Sequence, residues 1–305
     1  MIGLRDLKGI IVPLLTPLNE EDSFDERGMK KLVRYLLDNG IHGIFILGSA
    51  GEAPCFTFQE REEIIRTTVE AVDSAVPILV GIGRNTTKET LECLKQVEEC
   101  NVDFAVVIPP MWRTGWVSED GLIEHYKTLA EESIIPILLY NLPSDAVQIS
   151  PNIVEELKDI DNIYGIKDSS CNLENILEFS KHMPTFQGYD NEIYPALKLG
   201  AAGAISGVAN VFPSEVLGIY NTFLKGDYEE AEKLQNKVST LSDLLFKISP
   251  INPLAGEKYC LELMGVCKGC VRMPYAQVTE MEKNNIEVAL KEALKIKKYE
   301  DDNDQ

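Results

Sequence analysis

The chain has 305 residues, 45% of them hydrophobic, and a formal net charge of -20. That length suits one large barrel or two modest domains around a substantial core. The charge argues against nucleic acid or anionic lipid as a partner, because neutralising phosphates needs clustered Lys and Arg. The longest apolar stretches, Phe104 to Pro110 and Ile134 to Leu139, fall far short of the roughly 20 residues that span a bilayer. The start, Met1-Ile2-Gly3-Leu4-Arg5-Asp6, has no charged-then-apolar leader, so a cytoplasmic location with neither export nor anchoring is expected.

Short apolar runs alternate with amphipathic stretches roughly every 25 to 30 residues, a βα rhythm that implies parallel strands. The first run, Gly9 to Leu14, precedes a helix in which Met29, Leu32, Val33, Leu36 and Leu37 follow Asp25 as one stripe, with Gly40 as terminator. After the second run, Gly43 to Leu47, Thr57-Phe58-Gln59-Glu60 reads as a capping box ahead of Ile65, Val69 and Val72. Further runs follow at Ile78 to Ile82, Phe104 to Ile108, Ile137 to Tyr140, Tyr164 to Lys167, Thr185 to Gly188 and Gly203 to Ser206. The last three are weakly marked by periodicity. Eight such units favour an α/β fold of the closed (β/α)8 TIM-barrel type over an open doubly wound sheet. From Ser214 to about Lys298 the chain reads as helical. The expected division is a catalytic barrel over 1–225, a C-terminal helical extension over 226–298 and an acidic, disordered tail over 299–305.

In such a barrel the active site lies at the C-terminal ends of the strands, so the polar residues there are the candidates. Lys167 ends the sixth run and Tyr140 the fifth. Taken singly, each has a structural explanation: a lysine reaching solvent past a strand end, and a buried phenol bonded to a carbonyl. Together they sit on neighbouring strands, where two independent structural roles explain the coincidence less well. A lysine at an apolar barrel mouth is costly to keep charged, and its neutral amine attacks a ketone while the phenol moves protons. Gly48-Ser49-Ala50-Gly51-Glu52 after the second strand is explained first as a tight turn, and its free N–H groups also suit a carboxylate.

Other chemistries lack parts. His42 precedes a strand, and His125 and His182 lie in or near helices, which leaves no metal or Ser-His-Asp set. The seven cysteines are scattered and odd in number, as reduced thiols are, and Cys267-Lys268-Gly269-Cys270 has no second pair and no nearby His. Gly81-Ile82-Gly83-Arg84 starts like a dinucleotide loop, but Thr86 stands at the third glycine.

Gly48-Ser49-Ala50-Gly51-Glu52, Tyr140-Asn141-Leu142-Pro143 and Gly165-Ile166-Lys167-Asp168 resemble, in order and spacing, the signature segments of the dihydrodipicolinate synthase and N-acetylneuraminate lyase family. The resemblance runs from Ile11-Val12-Pro13-Leu14-Leu15-Thr16-Pro17 through Gly188-Tyr189-Asp190 and Ile205-Ser206-Gly207-Val208-Ala209-Asn210 into the C-terminal region. It implies a lyase or aldolase in which Lys167 forms a Schiff base with pyruvate or another 2-oxo acid, and the enamine adds to an aldehyde or is released by the reverse cleavage. It gives Tyr140 the proton transfers, links Ser49 to Tyr140 by a hydrogen bond, and sets Gly48, Ser49 and Ala50 around the pyruvate carboxylate. Gly188, Asp190, Asn191, Ser206 and Asp145 become substrate contacts. No cofactor and no metal are implied, and identical copies are expected to assemble as dimers or tetramers.

Three departures bear on the substrate. Asp145 stands where dihydrodipicolinate-forming members carry an arginine for the carboxylate of aspartate semialdehyde. Trp112, in Pro109-Pro110-Met111-Trp112-Arg113, replaces a relay tyrosine, and Ala50 replaces a hydroxyl residue. Asn191 and Gly207 stand where the sialic-acid branch uses Glu and Ser. The sequence therefore favours a 2-keto-3-deoxy sugar acid, with Asp190, Asn191 and Ser144 on hydroxyls or Arg84 or Arg113 on an anionic end. Dihydrodipicolinate synthesis stands second, and a non-catalytic keto-acid-binding barrel third.

Overall fold

The computed structural model describes residues 7–301, and the side chains of 7–293. The leader expectation for Met1–Asp6 and the last four positions of the expected tail lie outside the described residues. Within them, eight apolar runs form parallel strands: β1 Gly9–Pro13, β2 Gly43–Ile46, β3 Ile78–Gly81, β4 Phe104–Val107, β5 Ile137–Asn141, β6 Ile163–Asp168, β7 Thr185–Gln187 and β8 Gly203–Ile205. Each pairs with the next, and β8 pairs back onto β1 with Gly9 opposite Gly203, so the sheet is a closed barrel and the open-sheet alternative is excluded. That closure needs glycine. A Cβ on Gly203 would lie 2.0 Å from the Gly9 carbonyl oxygen, and Gly9 itself has φ +88°.

The strands are buried on both faces, which is why they read as continuous apolar runs. Ile11, Phe45, Leu79, Phe104, Leu138 and Phe186 fill the barrel interior. Ile10, Val12, Ile44, Ile46 and Val80 face outward into a larger core beneath the helices. Several strands end one residue before the apolar run does, although Leu14 and Ile82 still donate their N–H groups to Phe45 O and Val106 O of the neighbouring strands at 2.8 and 2.9 Å and, like Leu47, remain buried in the core. β5 and β6 instead run one residue further than expected, to Asn141 and Asp168.

Helices α1 Glu26–Asp38, α2 Phe58–Val72, α3 Thr87–Glu98, α4 Glu119–Glu132, α5 Pro151–Leu157, α6 Leu173–Phe179, α7 Ile193–Lys198 and α8 Pro213–Leu224 connect and surround the strands. The Asp25 carboxylate accepts from Gly28 N–H at 2.9 Å to start α1, and its stripe of Met29, Leu32, Val33 and Leu36 is buried. The capping box between Thr57 and Glu60 starts α2 as its spacing requires.

Beyond α8 come α9 Tyr228–Ile248, α10 Pro253–Leu263 and α11 Glu280–Asp301. The helical stretch expected from Ser214 onward is thus broken over residues 264–279. Gly265 at φ +74° ends α10, and a second capping box, Thr279 with Glu282, restarts the helix as α11. No described helix is long and apolar enough to cross a membrane.

The extension is fastened to the barrel by charge. Lys258 of α10 is fully buried and donates to the carboxylate of Glu52, on the loop after β2, and to the Cys270 carbonyl at 3.1 Å. Removing one partner of such a pair strands the other charge in the interior, at a cost of about 3–5 kcal/mol. Lys258→Met is therefore expected to lower the urea midpoint by that stability. The Glu52→Gln, Lys258→Met double variant should lose less than the sum of the two single losses.

Candidate active site

The site is built on the register of two strands. Tyr140 pairs with Lys167, and Asn141 with Asp168, only because the β5–β6 ladder shifts between Ile137 and Leu138, where Ile137 faces Ile163 but Leu138 faces Gly165. The extra residue on β6 is Tyr164, which packs into the barrel interior and whose hydroxyl accepts from Leu7 N–H at 2.8 Å. Below the shift Ile163 faces the outer core, and above it so does Ile166, which turns Lys167 inward.

Lys167 is only 5% exposed. Its Nζ lies 4.1 Å from the centre of the Tyr140 ring and 5.6 Å from that of Phe45, so it rests against aromatic faces and makes no ion pair among the described residues. Room for it depends on Gly188, where a Cβ would lie 2.9 Å from Lys167 Cε and 2.0 Å from Ser169 Oγ. The Tyr140 hydroxyl lies 3.4 Å from Ser49 Oγ.

Ser49 belongs to the turn that leaves β2. The turn is tied at both ends: Thr16 Oγ1 donates to Gly51 O at 2.8 Å, and Glu52, at φ +54°, donates its N–H to Ser49 O at 3.0 Å. β3 is pressed against it, since a Cβ on Gly81 would lie 2.0 Å from Leu47 O.

Two buried carboxyls flank Lys167. Asp168 accepts from Asn141 Nδ2 at 2.6 Å and Ser170 Oγ at 2.7 Å; burial pushes its carboxyl up, and these hydrogen bonds oppose the rise. Asp190 accepts from the Ser206 hydroxyl and from the N–H groups of Gly207 and Val208. Burial raises it too, against those bonds and the charge of Lys167. Behind it, Glu257 of α10 is buried, and its Oε2 has no hydrogen-bond partner among the described residues. Burial, reinforced by the charge of Asp190, pushes Glu257 up to about 8.

A cavity of about 420 Å³ opens at this end of the barrel. Gly48, Ser49, Tyr140 and Asp145 line it, with Phe45 beside them, and Arg84 comes from the end of β3. Of the other sequence candidates, Lys167 sits behind the Tyr140 and Phe45 rings, and Ala50, Gly188, Asp190, Asn191 and Ser206 are not in the wall. The Asn191 amide donates to the Tyr189 hydroxyl at 3.2 Å, and exposed Ser144 is also outside the wall. Arg113 is stacked between the exposed rings of Trp112 and Trp116, 5.7 and 4.9 Å from their centres. Sequence reasoning missed Asn252, Leu254 and Tyr275, which the extension adds to the wall. Nothing in the local sequence around Asn252-Pro253 says that this helix start faces the barrel mouth.

A (β/α)8 barrel that holds a lysine against a phenol at the C-terminal ends of adjacent strands has the architecture of a class I aldolase, which works through a lysine Schiff base. The family model described as "Dihydrodipicolinate synthetase family" matches residues 6–293, and the chain belongs to that family of Schiff-base, pyruvate-using lyases. It is 35% identical over 305 residues to the 4-hydroxy-tetrahydrodipicolinate synthase of Phocaeicola vulgatus, covering 97% of this chain and 100% of that one. Among solved structures it matches the dihydrodipicolinate synthase of Thermotoga maritima with a TM-score of 0.88 at 28% identity, covering 95% of this chain and 99% of that one. YagE of E. coli K12, a prophage protein of the same family solved with pyruvate, matches with a TM-score of 0.88 at 27% identity and the same coverage.

The raised carboxyl of Glu257 has a measurable consequence. Between about 4.5 and about 8 the folded state keeps a proton that the unfolded chain has released, so stability falls as pH rises through that window. Asp190 contributes with the same sign. Urea midpoints of the wild type are expected to fall from about pH 5 to about pH 8, and Glu257→Gln to flatten that fall, leaving the part that comes from the raised carboxyls of Asp190, Asp168 and Glu192.

Proposed function

We propose that this chain condenses pyruvate with aspartate semialdehyde, the reaction of a 4-hydroxy-tetrahydrodipicolinate synthase. The observation that carries the aldolase chemistry is the contact of Lys167 Nζ with the Tyr140 ring at 4.1 Å, with Ser49 3.4 Å from the phenol at the cavity wall. Neutral Lys167 attacks C2 of pyruvate, and the carbinolamine loses water to give an imine. Tyr140 and Ser49 carry the protons in and out. Loss of a methyl proton gives the enamine, whose carbon bonds to the aldehyde carbon while the new alkoxide takes a proton. The acceptor's ammonium then gives up a proton, its amine adds to the imine carbon, and Lys167 takes up a proton and is displaced, which closes the ring and frees the enzyme. The backbone N–H groups around Ser49 and Ala50 hold the pyruvate carboxylate.

This choice reverses the order that the sequence favoured. Relatives 32–35% identical over most of the chain carry the synthase name. Asp190 is engaged by Ser206, the Asn191 amide donates to Tyr189, and neither residue lines the wall where a sugar's hydroxyls would bind. Asp145 keeps a second reading in play, because a carboxylate in the wall suits the hydroxyls of a sugar-acid aldehyde. Assembly of two or four identical chains belongs to the same proposal, and the apolar rings of Trp112 and Trp116, 64% and 72% exposed, supply a face for it. Sedimentation velocity measures that state directly.

Borohydride reduction in the presence of pyruvate is expected to leave an adduct on the Lys167 peptide, and none in Lys167→Ala. Tyr140→Phe should lower kcat by about 10²–10⁴ with the adduct still formed. A folded wild type that traps no 2-oxo acid would refute the aldolase mechanism. Faster turnover with neutral hydroxyaldehydes than with aspartate semialdehyde would move the substrate to the sugar-acid class.

A further inference from the structure

The cavity wall contains three charged side chains among the described residues: Glu52, Arg84 and Asp145. Glu52 is neutralised by buried Lys258. The other two are unspent, for neither the Arg84 guanidinium nor the Asp145 carboxylate has a hydrogen bond or ion pair among the described residues, with each other or with anything else. In a chain of formal charge -20, an unpaired cation at a cavity wall is unusual.

Arg84 is also backed by a second cation. Arg61 of α2 is fully buried; its Nη2 donates to the Gly81 carbonyl at 2.7 Å, while its Nε and Nη1 have no hydrogen-bond partner among the described residues. Burial, together with the charge of Arg84, lowers Arg61 to about 10, and no carboxylate offsets the pair. Two neighbouring guanidinium groups without a counter-charge repel each other and raise the local potential. An anion that enters the cavity against Arg84 relieves that repulsion and gains a charge-assisted hydrogen bond. The turn that presents Arg84 is fixed, because its N–H donates to Thr90 Oγ1 at 3.1 Å and a Cβ on the preceding Gly83 would lie 2.5 Å from Ile108 O. Asp145 comes from a different turn, after β5, where its N–H donates to Leu142 O at 3.1 Å.

We propose that Arg84 and Asp145 select the acceptor aldehyde by its charges, Arg84 binding a carboxylate and Asp145 an ammonium, so that the site takes an α-amino-acid aldehyde. This rests on the proposed condensation and names the side chains that would choose its second substrate. It also resolves the conflict at Asp145: a carboxylate there repels the acid end of such an aldehyde but attracts its amino end, and the cation for the acid end comes from β3. A dianionic or uncharged acceptor satisfies one of the two residues at most.

The test compares acceptor KM for wild type, Arg84→Ala, Arg84→Gln and Asp145→Asn with three aldehydes. Aspartate semialdehyde carries both charges, succinate semialdehyde only the carboxylate, and glyceraldehyde neither. Pyruvate trapping on Lys167 and urea midpoints are followed in parallel. Both Arg84 variants are expected to raise KM about 10- to 100-fold for the two carboxylated aldehydes, with pyruvate trapping and the KM for glyceraldehyde unchanged. Asp145→Asn should raise KM for aspartate semialdehyde alone. The proposal is overturned by equal effects on all three aldehydes, by no effect, by loss of pyruvate trapping in the Arg84 variants, or by a wild type that traps pyruvate yet does not turn over aspartate semialdehyde. A wild type that fails to trap pyruvate overturns instead the condensation beneath it.

Discussion

The register of β6 against β5 is the constraint from which the site follows. With no shift in the ladder, counting on from Ile137 opposite Ile163 would set Ile166 opposite Tyr140 and turn Lys167 toward the helices. The one extra residue, Tyr164, reverses the alternation and brings the lysine inside. The displaced strand is then pinned at both ends. Tyr164 holds the segment that precedes β1 at the bottom of the barrel, and the Asn141 amide grips the Asp168 carboxylate at the top. Asn141 Oδ1 in turn accepts from Ile149 N–H at 2.9 Å, which carries the same clamp into the loop that bears Asp145. The contact of the Lys167 amine with the Tyr140 ring is thus set by backbone register, which side-chain motion cannot undo.

Charge is handled differently at each point around this end of the barrel. Lys258 has a carboxylate and a carbonyl, and its role is to hold α10 against the Glu52 turn. Lys167 has only ring faces, with no hydrogen bond or ion pair among the described residues. Asp190, near it, and Glu257, behind Asp190, are both pushed toward the protonated form by burial, so they add less negative potential than their number suggests.

Much of this was legible in the chain because it is written in local patterns. The βα rhythm, the Asp25 and Thr57 caps and the three polar segments at strand ends all depend on neighbours within a few residues. The closed barrel, the adjacency of Lys167 with Tyr140 and the family followed from them. What stayed hidden depends on distant partners. A bulge at Tyr164 has no composition of its own, and its anchor, Leu7, lies across the barrel. Asn252, Leu254 and Tyr275 reach the wall from the far end of the chain. Asp190 and Asn191 looked available for a sugar because their partners Ser206 and Tyr189 were not yet known to hold them. The substrate order rested on three departures from the family pattern, and Arg84 was only one of two cations offered for an anionic end; that Arg84 lines the cavity and Arg113 does not depends on the fold.

The position of that cation changes how the departures at Asp145, Trp112 and Ala50 are understood. Read one at a time, each removes something: a positive charge, a phenol, a hydroxyl. The wall as a whole retains the same kinds of group from other elements, a guanidinium from Arg84, hydroxyls from Ser49 and Tyr140, and a phenol from Tyr275 in the C-terminal segment. A cavity selects by the sum of the potentials and donors it presents, whichever strand supplies them. Three substitutions in the family's usual positions therefore do not amount to an emptied site. They leave a wall that still carries Ser49, Arg84, Tyr140 and Tyr275, with Lys167 held behind the Tyr140 ring by the strand register.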